Sequence, residues 1–202
     1  MLASDQFITI KKAVEGEPYK EKGSKFIGFA YPVRTEEEVK TILETLKKKH
    51  HTARHFCYAY QLGFPEVNYR ANDDGEPNNS AGKPILGQIH ASNLTDVLVV
   101  VLRYYGGTKL GVGGLIQAYK TAAQYCLEEA EDMVLTLKKE FQLKFEYPLL
   151  SKVMRLIKEH DIEIIKQELL ENCKIKIGVR QQQAEEIENK IRGIYGVRLS
   201  RD

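Results

Sequence analysis

The residues of this chain best suited to chemistry gather between positions 73 and 114. Residues 106–114 read GGTKLGVGG, five glycines in nine positions, and open into an apolar stretch with helical spacing. Glycine allows backbone conformations in which successive N–H groups face one point, and a helix beginning there adds positive potential. Lys109 lies inside the loop and Arg103 at its beginning. With Gly106, Gly107, Gly111, Gly113 and Gly114 they would suit a phosphate or another anion. Tyr104 and Tyr105 would offer ring faces to stacked bases. A structural reading stays open beside this one: the glycines make a tight turn and let a helix pack closely. The loop matches neither GxxxxGK[ST] nor GxGxxG, which argues against a nucleotide-consuming enzyme.

Ahead of the loop, Asp73, Asp74 and Glu76 form a carboxylate cluster in DDGEPNNSAGKP. Such a group can bind a metal or move protons. It can equally make an Asx-type turn and pair with Lys83 or Arg103, and this second reading is preferred because loop acids are usually solvated or paired. Ser80 is a candidate cap for a short helix carrying Ile85, Leu86 and Ile89. His51 and His55 are four apart, but the glutamate of an HExxH site is absent and His55 begins a strand pattern. Cys57, Cys126 and Cys173 are scattered without a CxxC, so buried thiols are expected rather than a disulfide framework or a zinc site. No GxSxG elbow occurs. The residues therefore predict a binding protein rather than an enzyme, with no metal and no cofactor.

Several elements must position these groups. Phe7–Val14 and Lys25–Val33 read as two strands joined by a charged turn into a hairpin. Thr35 and Glu38 make a capping box before a helix with Val39, Ile42, Leu43 and Leu46 on one stripe. Phe56–Leu62 alternates as a strand, and Ala71–Pro84 is mostly loop. Val97–Leu102 is a β-branched run of the kind buried on both faces. Leu115–Ala130 is a helix with ridges at Leu115, Tyr119, Ala122 and Cys126 and at Ile116, Ala123 and Leu127. The pattern then restarts. Strands at Leu137–Phe145, Ile162–Leu170, Lys174–Val179 and Tyr195–Leu199 alternate with helices at Pro148–Glu159 and Gln183–Arg192. This βαββαβ order is the ferredoxin-like pattern. It predicts an α+β protein with domains at 1–134 and 135–202.

At 202 residues the chain has room for one large domain or two small ones. Its 43% hydrophobic and 29% charged residues fit a globular chain. The longest apolar run, Val97–Leu102, is far short of a membrane span, and MLASDQFITIKK has no signal-peptide pattern. The expectation is a cytoplasmic protein without membrane contact. Net charge is only +2, yet Pro77–Leu127 sets Lys83, Arg103, Lys109 and Lys120 against Asp96 alone. That is a local basic segment in a nearly neutral chain.

The combination DDGEP…AGKPIL…VVVLRYYGGTKLGVGGLIQAY, preceded by ARHFCYAYQLG, resembles the IMPACT/YigZ family. The resemblance implies an N-terminal domain folded like the second domain of the S-five ribosomal protein. It implies a C-terminal domain similar to the fifth domain of elongation factor G. Eukaryotic relatives are linked to translational control through protein–protein competition, and bacterial members are suspected of binding nucleic acid or ribosomes. Asn78-Asn79-Ser80 departs from the Ser-Gly-Thr-like stretch common in relatives. The function expected is a translation-associated regulator binding RNA or the ribosome through the glycine-rich basic surface. Two alternatives stand beside it: action on a phosphorylated small molecule or nucleotide, and recognition of an acidic protein partner.

Overall fold

The computed structural model describes residues Leu2–Arg201. Strands are β1 Gln6–Ile10, β2 Val14–Glu15, β3 Tyr19–Glu21, β4 Ser24–Pro32, β5 His55–Leu62, β6 Asn68–Asn72, β7 Val97–Tyr104, β8 Asp132–Thr136, β9 Lys138–Glu146, β10 Glu163–Glu168, β11 Asn172–Arg180 and β12 Arg198–Arg201. Helices are α1 Glu36–Lys49, α2 Gly82–Ala91, α3 Gly111–Glu128, α4 Leu150–Glu159 and α5 Ala184–Arg192. The chain is a mixed α+β protein that divides into two compact units. One holds residues 7–135; the other holds 136–201 together with the first few residues.

In the first unit the sheet runs β2-β4-β7-β5-β6, with β3 also paired to β4. The central β7 is antiparallel to both neighbours. Its period-2 alternation sends Val97, Val99 and Val101 into one core, with Ile85, Ile89, Leu115 and Tyr119 of α2 and α3. Leu98, Val100 and Leu102 enter a second core, with Val39 and Leu46 of α1. A strand covered on both faces reads as continuous Val and Leu, as this one does. Thr35 Oγ1 accepts from Glu38 N–H at 3.2 Å and caps α1 as expected, while Glu38 Oε2 accepts from Arg34 N–H.

Of the expected pairing between Phe7–Val14 and Lys25–Val33 only the end forms: Val14, in β2, lies opposite Ala30 of β4. The real hairpin joins β3 to β4. Lys22 and Gly23, with φ of 45° and 79°, fill a two-residue loop of the primed type that suits strand twist. β1 pairs instead with β8, a strand that sequence pattern alone passes over.

The second unit has the order βαββαβ, with an antiparallel sheet β10-β11-β9-β12. Phe141, Leu143, Ile175 and Ile177 pack on one face against Val153 and Ile157 of α4 and Ile187 and Ile191 of α5. Asp5 belongs here as well. It is buried, and the Arg180 guanidinium donates to its carboxylate at 2.9 Å, holding the carboxyl below its usual range. A carboxyl lowered in the fold stabilises it above the ordinary aspartate value of about 4, and that contribution is lost as pH falls further. Asp5→Asn should therefore lower the denaturation midpoint most at neutral pH, with the gap to wild type closing in acid. Equal midpoints at neutral pH would show that the pair contributes nothing.

Candidate functional site

Alternation along β7 separates the residues that sequence had grouped. Arg103 continues the row of Val97, Val99 and Val101, so it turns toward α2 and α3. It is 5% exposed, and Nη1 donates to Glu76 Oε1 at 2.7 Å. Tyr104 continues the opposite row, is half-buried, and its hydroxyl lies 2.7 Å from His50 Nδ1. Tyr105, beyond the strand, is exposed.

Arg103 is thus internal, and its guanidinium is buried beneath the glycine loop rather than presented on it. It sits over Phe26, with Tyr105 5.2 Å from its guanidinium carbon. Glu76 Oε1 also accepts from Tyr119 Oη–H at 2.8 Å, and His55 Nε2 lies 3.9 Å away. Tyr119 meets Phe26 edge-on at 5.1 Å. Burial pushes the Tyr119 phenol up, with Cys57 and Glu76 adding to the shift. This hub joins β4, β5, β7, α3 and the loop after β6.

That loop is tied by its own acids. Asp73 Oδ1 accepts from Ala81 and Gly82 N–H at 2.9 and 2.8 Å, and Oδ2 accepts from Asn79 N–H. Asp73 therefore caps α2. Ser80 does not: it is buried and donates to Pro77 O at 2.6 Å. Asp74 Oδ2 accepts from Phe56 N–H at 2.7 Å, and Asp74 O lies 2.9 Å from His55 Nδ1. The carboxylates make turns and pairs, the preferred reading, with Arg103 rather than Lys83 as the cation. Lys83 is exposed on α2. Among the described residues no group of three or more His, Cys, Asp or Glu could hold a metal ion. Cys57, Cys126 and Cys173 are all buried and free. Burial raises the Cys57 thiol and pushes Cys126 up to about 12.

The glycine loop divides by role. A Cβ on Gly106 would stand 1.9 Å from the Gly23 carbonyl carbon, so two backbones pass there with no room for a side chain. Gly106 N–H donates to Ser24 Oγ at 3.2 Å. Gly107 and Gly111 have φ of 88° and 72°, where glycine is favoured. Gly113 has neither constraint: its φ is not positive, and nothing lies within 4 Å of the place a Cβ would take. Gly111, Gly113 and Gly114 lie in the first turn of α3 rather than in the loop. Leu110 occupies the cap position of that helix with no side-chain cap bond, and the first turn has no acid. Its N–H groups lack the usual i−4 partners. Around them Tyr105, Lys109, Val112 and Ile116 are exposed, and Arg54 lies 5.3 Å from the Tyr105 ring. The arrangement is a surface with bare helix-end donors, cations, a ring and two apolar side chains.

Sequence reasoning missed Ser24, His55 and Tyr119 as members of the hub. Tyr119 had one available signal: a tyrosine on a buried helical ridge needs a partner for its hydroxyl.

Comparison with known proteins bears on the same region. The family model for the Impact N-terminal domain matches residues 22–127. An IMPACT family member of Haemophilus influenzae is 31% identical over 188 residues, covering 92% of this chain and 91% of its own. One from Bacillus subtilis is 34% identical, covering 88% of this chain and 81% of its own. Protein IMPACT of Xenopus laevis is 39% identical over 107 residues, covering 50% of this chain and 34% of its own. The crystal structure of a hypothetical protein superposes with a TM-score of 0.72 and 28% identity, covering 96% of both chains.

Proposed function

The chain belongs to the IMPACT family, and from that membership we propose that it is a cytoplasmic, non-catalytic regulator of translation that docks on RNA or the ribosome. The docking face is the uncapped start of α3 with Lys109, Tyr105 and Arg54. We read the two units as counterparts of the second domain of the S-five ribosomal protein and of the ferredoxin-like fifth domain of elongation factor G. The observation that carries the reading is Gly113. Packing does not require a glycine there, and its absence of side chain leaves the first-turn amides open to an approaching phosphate. Lys109 adds a cation and Tyr105 a stacking ring.

Sedimentation with ribosomal subunits and with structured RNA tests this at two salt concentrations. Association should weaken steeply with salt, and Lys109→Glu should flatten the salt slope by about 1 while weakening every RNA alike. No association at low salt defeats the reading. Val112 and Ile116, 52% and 39% exposed beside Lys109, favour a second one: an acidic protein partner with an apolar patch. Complexes that survive nuclease treatment would belong to that partner.

A further inference from the structure

We propose a second nucleic-acid surface, on the open face of the C-terminal sheet, that takes single-stranded RNA. Strand register builds it. Lys174 lies opposite Lys144, and Lys144 lies opposite Arg198. Directly opposed residues of antiparallel strands share a face, so three cations stand in one row across β11, β9 and β12. Their neighbours along the strands, Ile175, Leu143 and Leu199, turn the other way into the core with α4 and α5.

Like charges opposed on neighbouring strands destabilise a sheet. Little in the fold offsets this row. Glu168 lies opposite Lys174, with 3.8 Å between their charged atoms, and both side chains are about half exposed. Among the described residues, the side chains of Lys144 and Arg198 have no ion-pair or hydrogen-bond partner. A polyanion would relieve the repulsion that the sequence builds in.

The row also borders a concavity of about 650 Å³, lined by Lys144, Lys174, Arg198 and Tyr195, with Glu146 as its one acid. Tyr195 is 96% exposed, so its ring packs against almost nothing. Gly196, with φ of 91°, turns the chain between that ring and Val197. Phosphates on the cations and a base on the ring describe a single strand, since duplex RNA keeps its bases stacked inside. An acidic peptide would use the row and leave the ring idle. RNA is the polyanion a translation regulator meets, and this choice of sugar rests on the proposed function.

The test is fluorescence anisotropy of a labelled oligoadenylate of about 12 nucleotides. It uses the full chain in a Lys109→Glu background, which removes the first surface's cation. Tyr195→Ala should weaken binding roughly fivefold or more, and Tyr195→Phe should bind like the background. Lys144→Ala with Arg198→Ala should lower the salt slope by about 1.4. All these side chains are exposed, and circular dichroism verifies the fold. The proposal is overturned if the background does not bind the strand, or if either alanine variant binds like it. It is equally overturned if Tyr195→Phe is as weak as Tyr195→Ala, or if polyglutamate displaces the strand with equal potency. The first surface is tested separately, by the difference in ribosome sedimentation between wild type and Lys109→Glu.

Discussion

Arg103→Leu is expected to destabilise the N-terminal unit by about 3–5 kcal/mol, the loss typical of removing one partner of a buried ion pair. The reason lies with what remains. Both side chains of the pair are about 95% buried, and the Glu76 carboxylate would be left with the Tyr119 hydroxyl and, at 3.9 Å, His55 Nε2 in place of a guanidinium. Loss should spread along the hub, since Glu76 ties the loop after β6 to β7 and α3. Chemical denaturation followed by far-ultraviolet circular dichroism measures it, and the C-terminal unit should retain its own transition. Adding Glu76→Gln to Arg103→Leu removes the stranded charge but keeps an acceptor for Tyr119. The double variant should therefore be more stable than the sum of the single losses, by about 1 kcal/mol or more. An Arg103→Leu midpoint indistinguishable from wild type would mean that the pair is held open to water.

Gly106→Ala is the second large effect. Its methyl would fall 1.9 Å from one backbone atom of Gly23 and 2.4 Å from Ser24 N, and neither is the tip of a flexible side chain. The β3–β4 turn must move, or the end of β7 must. A cost of about 1–3 kcal/mol follows from overpacking of this kind, with backbone on both sides placing it at the upper end. The same substitution seven residues later has the opposite sign. Gly113 lies in α3 with open space around it, so Gly113→Ala should stabilise by about 0.5–1 kcal/mol. Thermal melts of the two variants compare them directly. If Gly113→Ala gains stability yet weakens ribosome association, that glycine serves docking rather than folding.

Much of the architecture is readable from local pattern. The Thr35 cap of α1, the two-faced run Val97–Leu102 and the βαββαβ order after residue 137 each follow from side-chain period or from a cap within one turn. The hairpin assigned to Phe7–Val14 failed over β1 for a corresponding reason. Strand pattern says that a segment is extended, but not which strand lies beside it. β1 pairs with β8, more than a hundred residues away, and no local signal marks that choice.

The site shows the same division. Its composition is in the sequence: the glycines, the basic bias of Pro77–Leu127 and the carboxylates that make turns. Alternation along one strand already places Arg103 and Tyr104 on opposite faces. Tertiary structure decided what each face meets, a buried Glu76 for one and His50 for the other. It also decided that Gly106 is demanded by the Gly23 backbone and that Asp73 caps a helix eight residues on. Periodicity and capping act within a few residues, so a chain carries them in its own order. Ion pairs, close backbone passes and the cation row of the second unit depend on register between distant strands, which only packing sets.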